Sequence, residues 1–270
     1  MNQSLPTRNF MDLTQPEIAK QLKKNPLVVL PAGSTEQHGP HLPTGTDIYA
    51  AYVISHAIAE RLDGLVLPGG PLGVTPMHMP FEGTISLTPE TYMKVVEETC
   101  VSAVTHGATH LLIVNWHEGN IPSLSIAADR LHREHGMSVL TVQACYVAAE
   151  LYGHDCGGLT HGGEIETLAI LEYQKDLVHL DRVDYSSAHE PGAKMDKLRR
   201  SRSYQPVLTD IRSICPTGWY GNPEAATVDK GRKMVADIAD SIADEAIEIF
   251  KQLQDAQGGT AEIVSLKRAV

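Results

Sequence analysis

Four short apolar runs, Leu27 to Leu30, Leu65 to Leu67, Leu111 to Val114 and Ser138 to Val142, recur along the chain with longer mixed segments between them. They are too short for buried helices and rich in leucine and β-branched residues, which predicts strands buried on both faces of a sheet. The segments between them repeat at helical spacing. Asp47 to Leu62 sets Ile48, Ala51, Ile54, Ile58 and Leu62 on one face. Thr88 reads as an N-cap with Pro89 at the first helical position, and Tyr92, Val95, Val96, Cys100 and Ala103 continue the apolar stripe. The full capping box is missing there, because Thr91 and not Glu stands third after Thr88. Further helices are predicted over Ile121 to His135 with Gly136 as the stop, over Glu164 to Tyr173, and roughly over Pro223 to Gln254, where Val235, Ile238, Ile242, Ala246, Ile249 and Leu253 fall in register. Strands alternating with helices over short connections give an α/β domain with a mainly parallel sheet. No linker, repeat or low-complexity tract divides residues 1–270, so one domain is expected. The polar stretch from Asp184 to Pro206 breaks the pattern and is expected to be a surface excursion or an inter-subunit arm.

Composition narrows the class of partner. A formal charge of -11 opposes binding to nucleic acid or to an anionic membrane surface. Aromatic residues make up only 5% of the chain, which removes stacking platforms for bases. No apolar run approaches the roughly 18 to 20 residues of a membrane span. The four cysteines lie scattered without CxxC spacing, and Met1 to Asp12 does not read as a signal sequence. A reduced, cytoplasmic setting is the expectation, with a core that needs no disulfide.

In open α/β sheets, ligands collect beyond the carboxyl ends of the strands. The first strand runs into Gly33 to Asp47, which packs Glu36, His38, His41 and Asp47 among turn residues. The third runs into Asn115-Trp116-His117-Glu118-Gly119-Asn120, and the fourth leads towards His161-Gly162-Gly163-Glu164-Ile165-Glu166. Carboxylate oxygen and neutral imidazole suit divalent metals, and two ions about 3.5 to 4 Å apart are typically held by a bridging carboxylate. A lone histidine beside a loop glycine is usually a turn residue, but several acids buried together need a cation. Among the remaining histidines, His78 and His154 fall in loops that can border a pocket, whereas His56, His106, His110, His132, His135, His179 and His189 read as surface or packing residues.

The motifs Glu36-Gln37-His38-Gly39-Pro40-His41-Leu42-Pro43 with Asp47, Asn115 to Asn120, His161-Gly162-Gly163 with Glu166-Thr167, and Gly221-Asn222-Pro223-Glu224-Ala225-Ala226-Thr227 with Lys230-Gly231 resemble the creatininase (creatinine amidohydrolase) family in order and spacing. The resemblance implies a three-layer α/β/α fold, two divalent ions (Zn, Mn or Fe) and hydrolysis of a carbon-nitrogen bond in a cyclic or small linear amide, commonly in a homo-hexamer. It implies that Asp47 bridges the ions, that Glu36 and His117 hold one and His38 and Glu166 the other, and that His161 lies near the substrate as a proton shuttle. One departure stands out. Creatinine-hydrolysing members carry an acid two places after the second motif's histidine and many other members carry Gly-Gly, whereas here Glu118 follows His117 directly and Gly119 comes next. Glu118 is therefore a second candidate donor to the leaving nitrogen, or an acid that holds His117. The alternatives are a formamide hydrolase or another ring-opening hydrolase, including one for a cyclic ketone, and, in a different class, a non-catalytic protein whose ions tie strand ends together.

Overall fold

The computed structural model describes residues 5, 7–185, 194, 198, 207–213, 215–256 and 268. Most of the Asp184 to Pro206 excursion lies outside the described residues. Four parallel strands, β1 (Leu27–Ala32), β2 (Leu65–Val66), β3 (His110–Asn115) and β4 (Ser138–Gln143), form one sheet in the order β2-β1-β3-β4. The register pairs Leu27 with His110 and Val28 with Leu65, and His110 with Ser138.

The apolar runs form a sheet because helices cover both of its faces. Leu27, Val29, Leu112 and Val114 pack against α2 (Thr46–Leu62), α5 (Ala144–Tyr152), α6 (Glu164–Gln174) and α7 (Val228–Ala256). Val28, Leu30, Leu111 and Ile113 face the other way, against α1 (Gln15–Lys24), α3 (Pro89–Thr105) and α4 (Ile121–His135). This is the three-layer α/β/α arrangement. Among the described residues no helix is long and apolar enough to cross a membrane.

The helix ends follow local chemistry. The Thr88 hydroxyl accepts from the Thr91 amide at 3.3 Å, and Gly136 closes α4 at a φ of 68°. Two helices escape the apolar pattern. Glu17 accepts from the Thr14 amide at 2.8 Å to start α1, whereas α5 begins at the residue after β4, with no turn to announce it. The last helix starts at Val228 rather than near Pro223, because Pro223 to Ala226 form a turn closed by the Ala226 amide on the Pro223 carbonyl.

The topology fixes where a ligand belongs. The chain leaves β1 towards β2 on one side and leaves β3 towards β4 on the other, so the strand order reverses between β1 and β3. The crevice beyond their carboxyl ends is the switch point at which doubly wound sheets bind.

Candidate metal centre

Beyond β1, Gly33 lets the chain pass close under the start of α2: a Cβ there would lie 2.5 Å from the Ile48 nitrogen. Asp47, in the first turn of α2, is thereby held against the end of β1. The intervening loop folds back through the Glu36 amide, which donates to the Thr44 carbonyl at 2.8 Å. The end of β3 brings in His117, and the start of α6 brings in Glu166. At Gly162, whose φ is 76°, the chain turns in the left-handed region, and its amide donates to Glu166 Oε2 at 2.6 Å. The five candidate ligands thus come from four elements and all are buried.

Their atoms fall into two sets that share one residue. Glu36, Asp47 and His117 form one, and His38, Asp47 and Glu166 the other, with the ligand atoms of each set within 4.8 Å of one another. Asp47 Oδ2 is 3.1 Å from His117 Nδ1, while Oδ1 is 3.2 Å from His38 Nε2. Glu36 Oε2 lies 3.3 Å from His117 Nδ1, and Glu166 Oε2 lies 3.7 Å from His38 Nε2. Two ligands about 2.1 Å from a tetrahedrally bound ion stand about 3.4 Å apart, so these separations are those of donors around a common cation.

Hydrogen bonds set each donor's outer side. His117 Nε2 donates to the Val74 carbonyl at 3.0 Å and His38 Nδ1 donates to the Glu36 carbonyl at 3.0 Å, which turns the other nitrogen of each ring inward. Ser34 donates to Asp47 Oδ2 at 2.7 Å, and the Thr75 hydroxyl donates to Glu36 Oε2. His38 Nε2 is buried with no well-formed hydrogen bond, only its ion-pair contacts with Asp47 and Glu166. The three carboxylates pair with histidines, and among the described residues no lysine or arginine reaches them. The donor set fits divalent metal.

Charge balance in the protein alone runs through protons. Burial opposes a charged His38, but the carboxylates of Asp47 and Glu166 outweigh it and push its pKa well above the imidazole range. Burial likewise opposes charge on His117, yet Glu36 and Asp47 raise it to about 9. Asp47 is held well below the carboxylate range, since its histidine partners overcome burial, while burial raises Glu166.

A cavity of about 240 Å³ opens over this cluster. His161 lines it, with Nε2 donating to the Gln37 carbonyl at 2.8 Å and Nδ1 3.8 Å from Glu36 Oε1. Its Nδ1 side also belongs to a third group with Glu36 and His38. Burial first, and then His38 and His78 beside it, depress its pKa well below the usual value, so the ring is neutral. Glu118 lines the cavity outside these groups and accepts from the Tyr146 hydroxyl at 2.7 Å. His117's outer nitrogen is taken by the Val74 carbonyl.

Some placements were not readable from the motifs. His41 shares the Gly33 to Asp47 loop but turns away, its Nε2 donating to the Gly162 carbonyl at 2.7 Å; burial lowers its pKa to about 4. His78 is buried in the cavity wall, Nε2 3.8 Å from Glu36 Oε1, while His154 is fully exposed. Met77, Ile211 and Tyr220 complete an apolar wall contributed by segments far apart in sequence.

A family model for creatininase (creatinine amidohydrolase) matches residues 11–246. The chain belongs to the creatininase family of hydrolases. It is 32% identical over 227 residues to a mycofactocin precursor peptide peptidase of Mycobacterium ulcerans, a match covering 80% of this chain and 82% of the relative. Its fold is similar to that of a mutant creatininase of Zn-Zn type, with a TM-score of 0.74 and 25% identity over 91% of this chain and 99% of that one. A structure described as creatininase Mn matches with a TM-score of 0.73 and 26% identity over 90% and 99%. Creatininases similar to this chain therefore exist in zinc and manganese forms.

Proposed function

We propose that this creatininase-family protein is a two-metal amidohydrolase that cleaves the carbon-nitrogen bond of a small amide. The observation that carries the reading is Asp47: its two carboxylate oxygens face two different imidazoles, each in its own ligand set. Glu36 and His117 complete one site and His38 and Glu166 the other. Two bound divalent ions, zinc or manganese, supply a water acidified towards neutrality and a Lewis acid for the amide carbonyl.

The chain's own residues supply position and proton transfer. The outer hydrogen bonds of His38 and His117 fix both rings with the other nitrogen turned inward, where it can give up its proton to an ion. His161 is neutral and tethered through Nε2, which leaves Nδ1 to take a proton from the attacking water and pass it to the leaving nitrogen. Glu118, which lines the cavity and accepts from Tyr146, is the second candidate donor to the leaving nitrogen.

A peptide bond is the second reading, favoured by the 32% identity with a peptide peptidase and by the apolar wall of Met77, Ile211 and Tyr220. The same centre serves either amide. Metal analysis of Asp47→Ala tests the core of the proposal: wild type holds about two ions per chain and the variant neither, since a bridging ligand serves both. One ion retained at full occupancy would remove Asp47 from the bridge.

A further inference from the structure

Trp116 stands at the end of β3, one residue before His117, and is 2% exposed. Its backbone amide donates to the Ala32 carbonyl at 2.9 Å, its side chain belongs to the core on the α2 side, and the residue lines the cavity. The indole Nε1 has no hydrogen-bond partner. Buried donors are rarely left so, because nothing replaces the water they give up. Five buried side-chain atoms of the described residues share this condition, and a second of them is His38 Nε2 at the heart of the ligand cluster. His38 Nε2 faces the carboxylates of Asp47 and Glu166, whereas Trp116 lines the cavity, where a bound molecule can satisfy its indole donor.

An indole nitrogen can only donate; it neither ligates an ion nor exchanges a proton at neutral pH. Its partner must be an acceptor, and in an amide substrate that is a carbonyl-type oxygen. The oxygen of the bond being cleaved belongs over the carboxylate-imidazole cluster, so the one at Trp116 is a second oxygen. Resting on the amidohydrolase reading above, we propose that Trp116 is a substrate-binding residue whose indole N–H donates to a second carbonyl or carboxylate oxygen beside the scissile amide. The protein then prefers peptide-like amides, ureides and carboxylate-bearing amides to formamides that carry a single oxygen.

The chain has two tryptophans, so the metal-loaded, nitrogen-15-labelled protein gives two indole signals, and Trp116→Phe identifies which belongs to Trp116. The probes are malonamate, which carries an amide and a carboxylate, and acetamide, which lacks the second acceptor. Malonamate should move the Trp116 indole proton downfield while leaving that of Trp219 in place, and its dissociation constant should rise about tenfold in Trp116→Phe. Acetamide should bind both proteins alike. An indole signal unmoved at malonamate saturation, equal malonamate affinity in the two proteins, or no saturable malonamate binding overturns the inference. If Trp116→Phe loads fewer ions, the wild-type shift decides alone. A protein that binds malonamate through Trp116 but hydrolyses no amide sinks the amidohydrolase reading only; one that hydrolyses amides while malonamate ignores Trp116 sinks this inference only.

Discussion

Glu164 and Glu166 stand two residues apart in the first turn of α6, both buried, and the fold treats them in opposite ways. About 200° of helical rotation separates them, so only one can face the crevice beyond β1 and β3. Glu164 Oε1 meets Lys230 Nζ of α7 at 2.6 Å. Glu166 meets His38 and, through the Gly162 amide, the turn that precedes α6. One carboxylate carries a cation supplied by the chain. The other belongs to a set of three carboxylates whose only cationic partners among the described residues are imidazoles, groups that can surrender their protons to an incoming ion. A lysine partner makes a clamp between helices, whereas imidazole partners make a place for an exchangeable cation.

The sharpest way to break that comparison is to neutralise each acid in turn. Glu166→Gln should lose metal from the His38 side of the centre, with hydrolysis falling by roughly 10²-fold or more, the scale of losing a group that acts at the reacting atoms. Glu164→Gln should retain both ions. Its cost falls on stability, about 1–3 kcal/mol, because Lys230 loses its charged partner. Metal analysis and denaturant unfolding of the two variants separate the roles, and metal loss in Glu164→Gln with retention in Glu166→Gln would reverse the assignment.

His161 sharpens the contrast from within the cavity. It comes close enough to Glu36 and His38 to ligate, yet its depressed pKa and its tether to Gln37 suit proton transfer. His161→Asn should therefore keep both ions and the fold while turnover drops by roughly 10²-fold. Metal content falling in step with activity would make His161 a ligand instead.

Legibility in the sequence followed how local the physical cause was. β1, β2 and most of β3 could be read because a strand buried on both faces has no polar positions to blur it, whereas half-buried β4, at the edge of the sheet, was legible only from its short apolar and β-branched run. The Gly33 to Asp47 loop could be read because carboxylates and imidazoles crowded among turn residues have few other uses. His41 shows the limit: it is the same residue type in the same loop, and only the position of the Gly162 carbonyl turns it away from the cluster. The cavity wall was hidden for a related reason. Met77, Ile211 and Tyr220 are brought together only by the tertiary fold, and nothing in their neighbours announces it, whereas His78 was legible as a loop residue able to border a pocket. α1 carried a legible signal in Thr14 and Glu17, whereas α5 had none, because it starts where β4 ends.

The smallest effect concerns a carboxylate outside the core. Arg61, in the last turn of α2, donates through Nε to Asp240 Oδ1 of α7 at 2.8 Å and through a terminal nitrogen to Oδ2 at 3.2 Å. Like Glu164, Asp240 has a cation from the chain, but its side chain is 44% exposed, so solvent screens the pair and its worth is under about 1 kcal/mol. The hydrogen bonds from Arg61, and then from Arg268, lower the Asp240 pKa to about 2. A carboxyl whose pKa is lower in the folded state contributes stability that is fully present above its unfolded value, near 3.8, and is lost as pH falls through the folded one. Asp240→Asn, which mimics the protonated acid, should therefore be slightly less stable than wild type at pH 7, and the gap should close between about pH 4 and 2. Metal content should not change, because α2 is already held at its other end by the packing of Asp47 against Gly33. Denaturant midpoints across that range provide the check, and a gap that widens on acidification would mean that the Asp240 pair does not stabilise the folded chain.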